Sequence, residues 1–326
     1  MSRGAGSAGD PRRRLRRVLP FAVSGALLVF VLARADLAAA WAVLDARALA
    51  RLGVSLALFS VVSLALEAVC LARVVAASGA KLPGLAAARI KAASYLLGLL
   101  NYALGAAAVS VLLRRRAGVP LARSAGMVFL ISLVDLVCLL GWAALGASLL
   151  DASRPGLRAG LVPAVVAGAV LGFALLRARF SLGPLDALRR LEIFAAARTA
   201  ESRLLAGLAA LRLAFVGSLV ALVGAVLWSF GIEVPVSRVL FAGPVLLAVS
   251  ALPVAVAGLG TAQVAFVALF DAFASADALL AASLALSGGL IVIRSALGLL
   301  FAGEFSREAL ALARQQEDAG ERETAP

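Results

Sequence analysis

The chain has 326 residues, 63% of them hydrophobic and 15% charged, with a formal net charge of +13 and no histidine. Soluble domains are about 45–50% apolar and about 25% charged, so both departures exclude a soluble enzyme and point into a bilayer. The missing histidine removes Ser-His triads, His-ligated metals and the commonest general base near neutral pH.

In chain order, residues 1–17 form a basic tail carrying Arg12, Arg13, Arg14, Arg16 and Arg17. An apolar run at 18–33 follows, long enough for a first span. Its arginine-rich start and the triplet Ala33-Arg34-Ala35 also fit a signal peptide. Crossing ~30 Å of hydrocarbon takes ~20 apolar residues in a helix. Further runs near that length lie at roughly 52–72, 124–150, 160–176, 213–230 and 278–302. The two cysteines, Cys70 and Cys138, fall inside these runs and read as small core residues. Gly168 and Gly172 in the fourth run read as a helix-packing face. The segment Arg177 to Arg203 is basic and partly amphipathic, as an interfacial helix would be. Residues 304–326 form a polar tail, so a single membrane domain is expected over 18–303.

Two apolar runs differ from the rest. Gly98, Asn101 and Gly105 interrupt 92–113, and Pro244, Pro253, Gly258 and Gly260 interrupt 239–270. Broken backbone at membrane depth is stable only against protein or a watery cavity. The basic residues decide whether these runs cross. If both are re-entrant hairpins and the N-terminus is cytoplasmic, 24 Lys and Arg lie inside and six outside. If both cross, the division is 16 against 14. The positive-inside rule favours the hairpins. The expected fold is therefore an all-α polytopic membrane protein with about six spanning helices and two re-entrant hairpins; the alternative is eight spanning helices. The first hairpin enters from the cytoplasm and turns near Asn101 to Gly105. The second enters from outside and turns near Gly258 to Thr261. Opposed broken elements meeting at the midplane are a transporter feature.

Candidate site residues are those whose chemistry is costly in lipid. By helical rise, Asp135 lies about 16 Å into its span. A carboxylate at that depth needs a partner. Arg294, at similar depth from the same side, is the expected ion-pair partner, and Ser132, one turn before Asp135, supplies a hydroxyl. Glu67 reads as a residue near a span's end reaching headgroups, and Arg73 as one that snorkels. Gly258 and Gly260 permit a chain reversal that opens a helix at Thr261, whose N-terminus attracts anions, with Gln263 adding two donors and an acceptor.

Three stretches carry a family resemblance: NYALGAAAVSVLLRRRAGVPLARS (101–124), SLVDLV (132–137), and LPVAVAGLGTAQVAFVALF (252–270) followed by IRSALGLL (293–300). With them the chain resembles the flippase-like transmembrane family related to the membrane region of lysylphosphatidylglycerol synthase. Asn101, Gly105, the Arg114 to Arg116 cluster, Asp135, Pro253, Gly258, Gly260 and Arg294 match the family's pattern. Ala106 stands where a Glu is expected, Ile131 and Ser132 replace a Glu-Arg, and Gln263 replaces a Glu. The resemblance implies translocation or export of a polar lipid (a phospholipid, glycolipid or hopanoid-like molecule) across the bacterial inner membrane, and the charge distribution puts both termini of this multi-pass protein in the cytoplasm. The implied substrate-binding set is Asn101, Gly105, Asp135, Pro253, Gly258, Gly260, Thr261, Gln263 and Arg294. The alternative function is a non-transporting membrane scaffold that partners a separate lipid-modifying enzyme. Neither reading calls for catalysis by this chain, a cofactor, a metal or nucleic acid; membrane lipids are the expected partners.

Overall fold

A computed structural model describes residues 45–100, 102–150, 163–172, 174, 191–251 and 260–323. The described residues are almost all helical, in ten α-helices and one short 3-10 turn at Glu192–Phe194. Helix α1 spans Ala46–Ala77, α2 Gly84–Leu100, α3 Tyr102–Ala117, α4 Leu121–Leu150 and α5 Pro163–Gly172. Then follow α6 Ala195–Thr199, α7 Ser202–Ser229, α8 Val236–Ala251, α9 Thr261–Phe270 and α10 Ala276–Glu323. The chain is an all-α polytopic membrane protein. Among the described residues four helices (α1, α4, α7 and α10) are long and apolar enough to cross a bilayer. The expected first span at 18–33 lies outside the described residues, as does most of the basic segment after Arg177.

Local chemistry sets the helix ends. Asp45 caps α1, its Oδ1 accepting a hydrogen bond from the Ala48 N–H at 2.6 Å. Pro83, Pro120 and Pro235 stand just before α2, α4 and α8, where a missing N–H costs nothing. Within the spans, buried serines return their hydroxyls to their own helix: Ser60 donates to the Leu56 carbonyl, Ser94 to Lys91 and Ser110 to Ala106. This satisfies polar groups that hydrocarbon would leave unpaired. The outward faces are apolar, with Val54, Leu58, Val61, Val292, Leu299 and Leu300 all more than 60% exposed. A surface of that kind suits lipid rather than water.

The direction of each helix follows from its neighbours. The start of α7 meets the end of α1, where a Cβ on Gly207 would lie 2.9 Å from Arg73 Nη1. At the other end of the same pair, the Arg51 guanidinium lies 4.4 Å over the Trp228 ring. Helices α2 and α3 leave from and return to the end where α1 finishes. That end carries Arg73, Lys81, Arg114, Arg115, Arg116 and Arg123. Helices α8 and α9 leave from and return to the opposite end, where α7 finishes and α10 begins. The two short helix pairs therefore enter the bundle from opposing ends.

The first pair is a tight hairpin. An ideal Cβ on Gly105 would meet the Gly98 Cα at 2.8 Å and the Gly98 nitrogen at 3.2 Å, so only glycine allows the two backbones this close. Its legs are 17 and 16 residues long. By helical rise each reaches about 25 Å, longer than either half of the apolar run 92–113 alone. The extra length comes from the basic ends at Arg89 and Lys91 and at Arg114 to Arg116, which continue the helices beyond the purely apolar stretch.

Two apolar clusters fill the interior. One joins Leu56 and Phe59 to Leu219–Leu227 of α7 and to Phe266, Phe270 and Leu279. The other joins Leu71, Val74 and Val75 to Ile90, Leu113, Met127, Leu130 and Leu208. Along α7, Arg212 falls between the two clusters, four residues after Leu208 and seven before Leu219.

Candidate functional site

A cavity of about 520 Å³ opens at that level. Helix α1 supplies Glu67, α2 supplies Lys91, Tyr95 and Gly98, α3 supplies Tyr102 and Gly105, and α4 supplies Ser132 and Asp135. Arg212 comes from α7, Leu247, Ala248 and Ser250 from the inner end of α8, and Arg294 from α10. The cavity thus lies between the tip of the first hairpin and the last turn of the second pair's first helix. By helical rise, Glu67 lies about 15 Å from the end of α1 and Arg212 about 15 Å from the start of α7. These charges are deep within their spans.

Geometry sorts the five charged side chains into two ion pairs and one further cation. Arg212 Nε lies 2.9 Å from Asp135 Oδ1, with the side chains 5% and 16% exposed. The same guanidinium sits 4.5 Å over the Phe215 ring. Lys91 Nζ lies 3.0 Å from Glu67 Oε1, while the Tyr95 hydroxyl donates to Glu67 Oε2 at 2.6 Å. The Arg294 guanidinium lies 5.4 Å over the Tyr95 ring. Both carboxylates are compensated on the spot, as charges at this depth require.

The expected Asp135–Arg294 pair is therefore corrected: Asp135 pairs with Arg212. Ser132 is not its partner either, because its hydroxyl donates to the Val128 carbonyl at 3.1 Å. Hydropathy alone starts the span at 213 and leaves Arg212 in the cytoplasm, whereas α7 begins eleven positions earlier at Ser202. A usable signal is present: the apolar stretch Leu204–Leu211 leads into Arg212 without a turn residue other than Gly207. Glu67 is corrected for the same reason. Helix α1 continues five residues beyond 72, which moves Glu67 from the headgroup level into the bundle. Lys91 and Tyr95, one turn apart on α2, stand out only once Glu67 is placed against them at the cavity wall.

Among the sequence-derived candidates, Gly105, Asp135 and Arg294 line this cavity. Asn101, Pro253 and Gly258 lie outside the described residues. Gly260, Thr261 and Gln263 sit at the start of α9 and do not line it. Gln263 is fully buried, accepts the Gly260 N–H at Oε1 (2.6 Å) and donates through Nε2 to the Ser287 hydroxyl at 3.2 Å. Gly260 has φ of +87°, a conformation that side chains rarely adopt. Gln263 thus stitches this turn to α10. Both cysteines are buried and unpaired with each other, and Cys138 donates to the Ala209 carbonyl at 3.6 Å. Gly168 and Gly172 have open space around them among the described residues.

The model of the lysylphosphatidylglycerol synthase transmembrane region matches residues 17–298. The chain belongs to this family. The match covers most of the chain, including every residue of the charged cavity. Comparison with curated proteins gave no match.

Proposed function

We propose that this member of the lysylphosphatidylglycerol synthase transmembrane-region family moves a polar lipid across the bacterial inner membrane, its headgroup passing through the charged cavity while the acyl chains stay in the bilayer. The observation that carries the reading is the cavity itself: about 520 Å³ of open volume at the depth where hydrocarbon would otherwise exclude charge, bounded by broken segments that enter from opposite ends. A chain that only scaffolds a partner gains nothing from placing five charges there, because each costs several kcal/mol to insert, by order of magnitude, unless compensated. Broken helices around a midplane site are the usual architecture of carriers.

In this reading six helices span, α2–α3 and α8–α9 re-enter, and the basic end of the bundle faces the cytoplasm with both termini. The chain supplies no catalysis of its own, and a separate enzyme provides or modifies the lipid. Asp135 and Arg212 hold α4 to α7, while Glu67, Lys91, Tyr95 and Arg294 face the headgroup. The test is reconstitution of the purified chain into vesicles with a headgroup-labelled lipid and a membrane-impermeant quencher. The proposal expects quenching to exceed one leaflet's share only with protein present. Equal quenching in protein-free vesicles, for every polar lipid tried, overturns it.

A further inference from the structure

The polar ties between helices divide the bundle in two. Helix α4 is held to α7 by the Asp135–Arg212 pair, by Trp142 Nε1 donating to the Leu213 carbonyl at 3.1 Å, and by the Cys138 thiol on the Ala209 carbonyl. Arg123 of α4 donates to the Ser78 carbonyl at the end of α1 (3.0 Å), and the Arg51–Trp228 contact joins α1 to α7. On the other side, Arg238 Nε of α8 donates to the Leu269 carbonyl of α9 at 2.7 Å, and Gln263 of α9 donates to Ser287 of α10. Among the described residues, no hydrogen bond or ion pair joins α1, α4 or α7 to α8, α9 or α10. The first hairpin borders both groups: Lys91 and Tyr95 bind Glu67 of α1, while Leu96 packs on Gly298 of α10.

The seam between the two groups is apolar, and glycines bring it close. A Cβ on Gly146 of α4 would run into the Phe241 backbone of α8. One on Gly243 of α8 would lie 2.8 Å from Val220 Cγ2 of α7, and one on Gly289 of α10 would lie 3.3 Å from Leu56 Cγ of α1. Leu56, Gly146 and Val220 all fall in the half of their helices at the end where α8 begins. Toward the basic end the same seam parts around the cavity, with Glu67, Asp135 and Arg212 on one side and Leu247, Ser250 and Arg294 on the other. The charged site therefore sits on a seam that is shut at one end. Sliding or parting apolar surfaces breaks no hydrogen bond in hydrocarbon, where an orphaned polar group is costly. Resting on the translocation reading, we infer that α8, α9 and α10 move as one body against α1, α4 and α7. The state seen here faces the basic end, and parting of the glycine seam presents the same site to the opposite leaflet.

The test pins the seam in the full-length chain, with Cys70 and Cys138 replaced by alanine. Val220→Cys with Gly243→Cys bridges α7 and α8, because the two Cβ positions lie 3.5 Å apart, within the disulfide range of about 3.5–4.5 Å. Leu56→Cys with Gly289→Cys bridges α1 and α10, a sulfur taking the place of the Leu56 Cγ; either pair suffices if the other does not fold. Each disulfide, established by mass, is expected to stop lipid movement in vesicles, and reduction to restore it. Continued movement with either disulfide formed overturns the inference. A second measurement follows the rate at which Val220→Cys alone reacts with a charged, membrane-impermeant thiol reagent added from outside. Gly146→Ala wedges the seam at Phe241 and should raise that rate at least about fivefold, the low end of an overpacking cost read as a population shift. Gly217→Ala, whose Cβ would meet Trp142 at 3.1 Å within one body, should leave the rate unchanged. Equal effects of the two substitutions, or none from Gly146→Ala, overturn the inference. A reduced chain that moves no lipid, yet whose Val220→Cys becomes reactive with Gly146→Ala, overturns translocation and leaves the motion standing; movement that persists through the disulfides does the reverse.

Discussion

Asp135→Asn removes one charge from the more enclosed of the cavity's two ion pairs and leaves Arg212, 5% exposed, without its counter-ion. Removing one partner of a buried pair costs about 3–5 kcal/mol, whereas replacing both by apolar residues of similar volume is often neutral. The Asn amide still offers an oxygen to Arg212 Nε, and Asp135 is 16% exposed to the cavity. The lower figure of about 3 kcal/mol is therefore the better expectation. By the scaling for large domains, that lowers the melting temperature by roughly 6–12 °C. The double variant Asp135→Leu with Arg212→Met should recover most of this loss while transport stays impaired, because the cavity has lost its polar wall. Thermal unfolding of purified protein in one detergent gives the cycle, and lipid movement in vesicles gives the function. The reasoning is refuted if the double variant is less stable than the parent by the sum of the losses of Asp135→Leu and Arg212→Met measured singly, since uncoupled residues add and paired ones do not.

Gly105→Leu should separate the legs of the first hairpin, because even a Cβ at that position meets the Gly98 backbone. A cost of about 1–3 kcal/mol and loss of transport are expected, and a variant as stable and active as the parent would contradict the close approach. Gln263→Leu should orphan the buried Gly260 N–H, whose acceptor is the Gln263 side chain. That loss costs about 1–3 kcal/mol, and Gln263→Glu, which buries a carboxyl group with no cation to meet it and loses the donor to Ser287, should be destabilised as well. Below the melting point both should transport normally, since Gln263 does not line the cavity. In a cysteine-free background, Arg115→Cys should react only with thiol reagents applied from the cytoplasmic side. Labelling from outside would show that the first hairpin crosses the membrane.

The sequence revealed the apolar runs, the two broken segments and the cost of Asp135, because all three depend on local composition. That the two broken runs return to opposite ends of the helix bundle was also legible, since the cluster Arg114 to Arg116 gathers at the end from which the first run leaves. The pairing of Asp135 was not. It depended on where α7 begins, and Arg212 interrupts the apolar stretch that starts at Leu204, so a hydropathy boundary falls after it at 213 rather than at Ser202. Glu67 failed in the same way, its helix continuing past Arg73 on residues that the hydropathy boundary had excluded. Gln263 shows a different limit: its type and place fit a ligand contact and a turn staple equally well, and only the positions of Gly260 and Ser287 decide for the staple. Depth can be counted along a sequence, but which buried charges share a level across helices depends on their packed register.

The central claim, that a headgroup travels through the cavity at the hairpin tip, is tested most directly by blocking it. With Cys70 and Cys138 replaced by alanine, Ala106→Cys places a thiol on the cavity wall and Ala107→Cys places one on the exposed face of the same helix. After reaction with a charged methanethiosulfonate, lipid movement in vesicles should stop for Ala106→Cys and return on reduction, and continue throughout for Ala107→Cys. Unchanged movement in the modified Ala106→Cys protein, with modification established by mass, would place the route elsewhere.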